Sequence, residues 1–227
     1  VWQGTLHWGL PDYAGRTVGG EVVVSLPLVA DATLGGSTDC GDRYDYPDYF
    51  VGWGTRNYYG TYNATFTNVM NEWDISDWPC FSKYIARWTL PALPAGAQVV
   101  SATVSMYKFG HSGYLGEPTG VNVMQVYEVS PDWDERTVSW NTAPAAWENI
   151  SRTPVGECTV NLCAEGDWYE FDVTEIVRRA YAGERPDASA LWYTGAGQYH
   201  SGRYFYSRTG AIPPIVRIAY QSVAPAT

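Results

Sequence analysis

Long apolar runs and clusters of basic residues are both missing from this 227-residue sequence. No stretch of about 18 apolar residues occurs, so no segment is predicted to insert into a membrane. Lys and Arg number 14 against 24 Asp and Glu, giving a net charge of −10, and no basic cluster is present to neutralise a phosphate backbone. We therefore expect neither membrane insertion nor a nucleic-acid partner.

Recognisable catalytic motifs are also missing. His7, His111 and His200 lie far apart in the sequence, and neither an H-E-x-x-H zinc motif nor a G-x-S-x-G nucleophile turn occurs. Carboxylates for glycoside hydrolysis are available at Asp132, Asp134 and Glu135, but acidic pairs are common and carry little weight alone. The sequence predicts no catalytic residue, and we expect the protein not to be an enzyme.

One cluster keeps an enzymatic alternative open, namely Tyr199, His200, Arg203, Tyr204 and Tyr206. A Tyr or His base beside an Arg that neutralises a uronate carboxylate is the equipment of a polysaccharide lyase. The competing interpretation is a β-hairpin with a polar turn and alternating core aromatics. We favour the hairpin because the supporting motifs are absent.

Turn-forming and aromatic residues are abundant. The chain has 23 glycines and 14 prolines, and 15% of its residues are aromatic, a balance typical of strands joined by structured loops. We predict a single all-β domain over residues 21–221, a β-sandwich of jelly-roll type with nine to eleven strands. One short helix is expected near 173–182, with Asp172 as N-cap, Glu175 as its reciprocal partner and Gly183 at its end.

The stretch from Val121 to Pro144 combines a strand with a sharp corner. Apolar residues occupy both faces of 121–129, which predicts a strand buried on both sides. Ser130 and Pro131 then break the strand, and an aromatic corner follows.

That corner, W-D-E-R-T-V-S-W-N-T-A-P, resembles the signature of the DNRLRE family of secreted β-sandwich modules, which are related to certain carbohydrate-binding modules. Lys83–Ala102, Phe171–Val177 and Pro213–Tyr220 resemble other segments of that family, in the same order. The resemblance covers roughly residues 22–220. It implies that Trp133 and Trp140 are core anchors and that Glu135 satisfies backbone donors in the turn. Asp31 lies where the family places an acidic residue, and its simplest interpretation is a turn residue.

An aromatic insertion at 39–81 departs from the family pattern. It carries more aromatic side chains than one or two strands can bury, and Asn residues lie among them. Trp and Tyr faces beside amide groups suit a polysaccharide ligand. The predicted carbohydrate-binding residues are Trp53, Tyr58, Tyr59, Tyr62, Trp73 and Trp78. The alternative is that these side chains form a satellite core under long loops.

Four cysteines without a C-x-x-C pair favour disulfides over a zinc site. Cys158 and Cys163 flank a four-residue loop and are predicted to pair, which leaves Cys40 to pair with Cys80, although the sequence alone allows three connectivities. Disulfides indicate an oxidising compartment.

A series of aspartates gives the one cofactor prediction, which is calcium. Asp39, Asp42, Asp45 and Asp48 recur at every third residue and supply the oxygen ligands that a hard cation prefers. Their spacing matches no EF-hand loop, and in an acidic protein such a run is often only solvated.

Residues 1–20 precede the family resemblance and are predicted to be an N-terminal extension. Trp2, Leu6 and Trp8 fall on one face of an extended strand that is able to add to a sheet edge. If this edge belongs to a neighbouring copy, the protein is a subunit of a filament or surface layer. If the edge belongs to the same chain, the extension folds back onto its own domain. The start at Val1 suggests that a signal peptide or an upstream region has been removed. We expect a secreted or cell-surface protein with a linker-like tail at 222–227.

Overall fold

We describe the protein from a computed structural model. The structure describes residues 16–18, 21–35, 53–69, 82–111, 120–156, 162–194 and 202–221. Within these ranges the chain forms twelve strands, one α-helix and two short 3-10 turns, all of whose bounds follow. The strands are β1 (Arg16–Val18), β2 (Glu21–Pro27), β3 (Ala30–Gly35), β4 (Phe66–Val69), β5 (Ser82–Thr89), β6 (Gln98–His111), β7 (Asn122–Val129), β8 (Ala146–Val155), β9 (Leu162–Asp172), β10 (Asp187–Thr194), β11 (Arg203–Tyr206) and β12 (Ile215–Gln221). The helix is α1 (Thr174–Ala182), and the 3-10 turns are Trp53–Thr55 and Tyr62–Thr65.

The strands form two antiparallel sheets that pack face to face. The five-stranded sheet has the order β3-β5-β10-β7-β8. The seven-stranded sheet has the order β1-β2-β12-β6-β11-β4, with β9 also paired to β6. Among the described residues of 21–221 there are eleven strands, β2 to β12, so the predicted all-β sandwich and its single short helix are confirmed.

Strand β6 organises the seven-stranded sheet. Its first half pairs with β12 and its last residues pair with β11, while Thr103 to Gly110 pair with β9. Because a strand has two edges, β11 and β12 share one edge of β6 and β9 occupies the other. This arrangement brings β4, β11, β6 and β9 side by side at one end of the sheet.

The core lies between the sheets and contains the inward-facing residues of both. Its largest apolar members are fully buried: Trp88, Trp192, Tyr84, Phe171, Phe205, Met106 and Met124. Phe171 meets Trp192 and Phe205 edge to face, with ring centroids 6.1 Å apart in both pairs. Side chains of this size contribute about 1.5–3 kcal/mol each on burial, so this layer supplies most of the stability.

Helix α1 closes one end of the sandwich over the core. It buries Ile176, Val177 and Ala180, and Gly183 ends it as predicted. The predicted capping box is wrong in detail, because the N-cap residue is Val173. Asp172 Oδ1 instead accepts hydrogen bonds from the Thr174 N–H at 2.8 Å and the Thr174 hydroxyl at 2.6 Å. Glu175 forms an ion pair with Arg178 at 2.8 Å.

Strand β7 differs from its prediction. The face that carries Met124 and Val126 lies in the core, but the opposite face is open at its start, where Val121 is 67% exposed. β7 is buried on both faces only near Val129, where the corner at 130–144 covers the five-stranded sheet. The sequence pattern predicted that the whole strand is buried on both faces. In the structure the corner shields only the end of its outer face from solvent.

Candidate functional site

Aromatic residues line the outer face of the seven-stranded sheet where β4, β11, β6 and β9 meet. Side chains alternate across a strand, so Tyr107 and Phe109 of β6 point outward while Met106 and Lys108 are buried. On β11, Phe205 is buried and its two tyrosine neighbours face outward. We call the resulting surface the aromatic row; it consists of Tyr62, Phe66, Phe109, Tyr204, Tyr206, Tyr107 and Trp168.

The rings of the aromatic row contact one another in an unbroken series. Tyr62 meets Phe66 at 5.6 Å between centroids, and Phe66 meets Phe109 at 6.1 Å, both edge to face. Phe109 stacks on Tyr206 at 4.4 Å and also contacts Tyr204 at 6.0 Å. Tyr206 stacks on Tyr107 at 6.2 Å, and Tyr107 meets Trp168 at 5.5 Å. Four strands at a spacing of about 4.8 Å make the row about 14 Å wide.

Exposure is greatest at the two ends of the aromatic row. Tyr62 is 80% exposed and Trp168 is 44% exposed, while the five rings between them are half-buried. Beyond Trp168 the same face carries polar groups: Arg217 donates to the Ser105 hydroxyl at 2.6 Å and lies 3.5 Å from the Glu170 carboxylate. The surface thus combines flat apolar faces with hydrogen-bonding groups at one end.

Gly166 allows the middle of the row to pack. It lies on β9 beneath Tyr107, and a Cβ atom at this position would overlap the Tyr107 ring and the Lys108 carbonyl oxygen. The ladders that β6 forms with β9 and with β11 both shift register at Phe109, which lies between the Lys108 and Gly110 pairings. A bulge changes the direction of a side chain, and here it accompanies the stacking of Phe109 on Tyr206.

The predicted carbohydrate-binding residues divide between two places. Tyr62 belongs to the aromatic row, whereas Tyr58 and Tyr59 line a separate cavity. Trp53 begins a 3-10 turn, and its side chain lies outside the described part, as do Trp73 and Trp78.

The six other members of the row were not predicted as carbohydrate-binding residues, although Tyr204 and Tyr206 were named in the lyase cluster. A signal for four of them exists in the sequence, since Tyr107 with Phe109 and Tyr204 with Tyr206 have a period of two around a buried residue.

The separate cavity has a volume of about 460 Å³ and is floored by charged residues. Arg208 donates to both carboxylate oxygens of Glu135, at 2.9 and 2.7 Å, and its Nε lies 3.6 Å from Asp31. Asp31 Oδ2 also accepts the Tyr84 hydroxyl at 2.6 Å and the Arg208 N–H at 2.6 Å. We call Asp31, Tyr84, Glu135 and Arg208 the arginine cluster.

Two predictions about the arginine cluster are corrected by this geometry. Asp31 is a buried residue of β3 and not a turn residue. Glu135 accepts the Asp31 N–H at 3.3 Å, but its main partner is Arg208 and not the backbone of its own turn. Burial raises the pKa of Asp31 above its usual value, and burial together with the adjacent Asp31 carboxylate raises the pKa of Tyr84.

The lyase cluster is not assembled as that hypothesis requires. Arg203 is fully buried, and its guanidinium donates to the carbonyl oxygens of Val155, Gly202 and Gly120. A guanidinium held in this way faces backbone oxygen atoms and is not presented to a uronate carboxylate. Tyr199 and His200 lie outside the described residues.

The core-anchor predictions fare differently. Trp133 is buried and donates its indole N–H to Ser189 Oγ at 3.0 Å, which fits a core anchor. Trp140 packs only partly buried against the same cluster.

Several other predicted residues lie outside the described part, namely Asp39, Asp42, Asp45, Asp48, Cys40, Cys80 and Cys158. Cys163 is disulfide-bonded, and its predicted pairing with Cys158 stays a prediction. Within the described residues no group of three or more metal-ligating side chains occurs. No helix among them has the length and apolar character to cross a membrane.

A family model matches most of the chain that carries this geometry. Residues 56–220 match the model of carbohydrate-binding module family 96, which is well over half of the sequence. The chain belongs to this family. The matched span includes every residue of the aromatic row, whereas β1, β2 and β3 precede it. The resemblance to carbohydrate-binding modules is therefore confirmed, while the narrower DNRLRE assignment stays a prediction.

Other comparisons add little to the family match. No curated protein matches the family 96 chain. One solved structure with some likeness is that of infectious bursal disease virus Gt strain, with 11% identity, 90% of this chain and 61% of that chain covered, and a TM-score of 0.20. The chain thus spans less than two thirds of that protein, and a score this low supports no structural argument.

Proposed function

We propose that this family 96 module is a non-catalytic, extracellular binding module whose aromatic row recognises a polysaccharide. The observation that carries the proposal is the unbroken series of ring contacts from Tyr62 to Trp168 on one face of the sheet. The family match supports a carbohydrate ligand. The width of the row favours an oligosaccharide segment of a chain over a single sugar.

The chemistry of the row suits the two kinds of surface that a sugar presents. A pyranose ring has an apolar face of C–H bonds, which packs against aromatic faces such as those of Tyr206 and Trp168. Its rim carries hydroxyl groups, which require hydrogen-bonding partners when they leave water. Arg217 and Glu170 supply donors and acceptors next to Trp168. Because the rings are held by mutual contacts, little side-chain entropy is lost on binding.

The proposal revises which residues bind the ligand. The sequence placed the site in the aromatic insertion, and Tyr62 and Phe66 are the described insertion residues that join the row. Tyr58 and Tyr59 are assigned to the separate cavity and are not required for binding to the row. Secretion or location at the cell surface is part of the same proposal, because the polysaccharide ligand would be found outside the cell.

Affinity electrophoresis against soluble plant, algal and bacterial polysaccharides tests the proposal. We expect retardation on at least one of them, and we expect Trp168→Ala and Tyr62→Ala to weaken it about two- to ten-fold each, since stacked aromatic contacts contribute about 0.5–1.5 kcal/mol. Trp147→Ala is the matched control, because Trp147 is exposed on β8 of the other sheet.

Each outcome bears on the proposal. If the melting temperatures of both row variants are unchanged, their weaker binding results from the loss of ligand contacts and not from unfolding of the protein. Retardation that neither row substitution weakens, or no retardation on any polysaccharide, would contradict the assignment of the row as the binding site.

A further inference from the structure

The outer face of the five-stranded sheet holds a second concave surface, on the opposite side of the molecule from the aromatic row. A cavity of about 320 Å³ lies where the corner at 130–144 meets this sheet. We call it the lysine groove; its walls include Lys83, Tyr127, Trp140, Pro144, Leu191 and Tyr193. Its volume lies at the lower end of the range for ligand pockets, which suits one ring better than a chain.

Lys83 is the charged residue in this groove. Its Nζ lies 4.0 Å from the centroid of the Trp140 ring and 4.9 Å from that of the Tyr193 ring. Within the described ranges, Lys83 Nζ has neither a carboxylate partner nor a hydrogen-bond acceptor. The rings attract the ammonium through their π faces, but they accept none of its three N–H bonds in the way an oxygen atom does.

Partial burial of the Lys83 ammonium costs solvation free energy, which its contacts with the two rings only partly offset. Desolvation lowers the pKa of Lys83 below its ordinary value, which means that the groove disfavours the charged form. The second lysine of the chain shows the contrast: Lys108 is more deeply buried than the half-buried Lys83, and its Nζ donates to the Gly156 carbonyl oxygen at 2.7 Å. Lys83 retains donors that an incoming acceptor oxygen can satisfy.

We propose that the lysine groove is a second sugar-binding site, in which one ring of a glycan places an acceptor oxygen against Lys83. The apolar walls at Pro144 and Leu191 and the aromatic walls at Tyr127 and Tyr193 accommodate the C–H face of that ring. The acceptor is a hydroxyl in a neutral sugar or a carboxylate in an acidic one. The choice of a sugar as ligand rests on the proposed function.

Two sites on opposite faces have a consequence that a single site lacks. A module that holds one chain on the aromatic row and another in the lysine groove links two polysaccharide chains. Such a module is expected to aggregate or gel a polysaccharide solution, most strongly at the molar ratio of protein to polysaccharide at which both of its sites are occupied.

Lysine-selective NMR tests the second site directly, because the chain contains only two lysines. We would label the lysine side chains of the full chain with ¹³C at Cε and add either neutral gluco-oligosaccharides or oligogalacturonate. The Lys83 signal is expected to move saturably with at least one probe, while the Lys108 signal stays fixed. A response to oligogalacturonate alone assigns a carboxylate acceptor, and a response to the neutral probe assigns a hydroxyl.

The variants separate this inference from the function of the aromatic row. Lys83→Met is expected to abolish polysaccharide aggregation while leaving binding at the row intact, and in Trp168→Ala the Lys83 shift is expected to persist. A Lys83 shift that disappears in Trp168→Ala would show that it reports the row, which overturns the second site only. No movement of the Lys83 signal with either probe would also overturn it. A Lys83 response without any binding at the row would instead overturn the proposed function.

Discussion

Arg208 joins three parts of the chain that are far apart in sequence. Its guanidinium binds Glu135 of the corner through two hydrogen bonds, and Asp31 of β3 accepts its backbone N–H. Asn57 fastens the aromatic insertion to the same corner, donating to the carbonyl oxygens of Glu135 at 2.9 Å and Val138 at 2.7 Å. The cluster thus fixes the relative positions of β3, the corner and the described insertion.

Replacement of Arg208 by Ala is expected to lower the free energy of unfolding by about 2–3 kcal/mol, because it leaves the buried Asp31 carboxylate without a cation. Chemical denaturation monitored by tryptophan fluorescence measures the change. Arg152→Ala is the control, since Arg152 is exposed on β8, and we expect a change within about 0.5 kcal/mol. Equal effects of the two substitutions would contradict a structural role for the cluster.

Lys83 is expected to make the free energy of unfolding depend on pH in the alkaline range. Because its pKa is lowered in the folded protein, the unfolded chain binds more protons in the window just below the ordinary lysine pKa of 10.5. Stability from this residue therefore rises as the pH rises through that window. The neighbouring Tyr127 and Tyr193 have raised pKa values and stay neutral there.

The comparison of wild type with Lys83→Met isolates this contribution. We expect the stability of the wild type relative to the variant to increase from pH 8 to pH 10, as followed by urea denaturation at each pH. A difference that is constant with pH, or that shrinks, would contradict the lowered pKa.

At the scale of single elements, segments with a strong local apolar pattern or clear end signals were predictable, and segments without them were not. β7 was predicted from the apolar residues of 121–129, and α1 was predicted near 173–182 with Gly183 at its end. β3 and β8 were missed. β8 lies at a sheet edge, is largely exposed and carries Pro154, so its pairing with β7 leaves no apolar pattern in the sequence.

The candidate site was only partly predictable for a related reason. Composition indicates that aromatic residues exceed what a core can bury, but four non-consecutive strands must pair before Tyr107, Tyr206 and Trp168 become neighbours. Likewise, Arg203 reads as a binding residue until β11 places it between buried carbonyl groups. Such contacts depend on long-range strand pairing, which local sequence patterns do not specify.

Gly166 links the structure of β9 to the function of the row. A Gly166→Ala substitution is expected to displace the Tyr107 ring, to cost about 1–3 kcal/mol of stability and to weaken polysaccharide binding. Gly156→Ala is the matched control, because its Cβ would meet only the Tyr169 hydroxyl at an ordinary 3.4 Å. Thermal unfolding and affinity electrophoresis report the two effects, and intact binding by a folded Gly166→Ala protein would argue against a role for Tyr107.

At the scale of the whole molecule, the end of the N-terminal extension folds onto its own chain. Residues 16–18 form β1, which pairs with Glu21, Val22 and Val23 at the edge of the seven-stranded sheet. This pairing favours the fold-back alternative for these residues over a strand donated to a neighbour. Residues 1–15, with Trp2, Leu6 and Trp8, lie outside the described part.

Deletion of residues 1–20 is therefore expected to lower the melting temperature by about 2–4 °C, the shift that corresponds to about 1 kcal/mol in a domain of this size. Light scattering should report the same molar mass per particle before and after the deletion. A polymeric wild type that falls apart on deletion would instead support the filament hypothesis.

The central claim is that a polysaccharide binds along the aromatic row, and aromatic NMR tests it most directly. The protein would carry ¹³C-labelled aromatic residues, and the ligand would be oligosaccharides prepared from the polysaccharide that retards it in electrophoresis. We expect this ligand to shift the signals of Trp168, Tyr107, Tyr206 and Tyr62 together, with one dissociation constant. The buried ring of Phe171 on the inner side of β9 should stay unchanged and serves as the reference. Shifts confined to Tyr58 and Tyr59, with the row unaffected, would contradict the account and place the ligand over the arginine cluster.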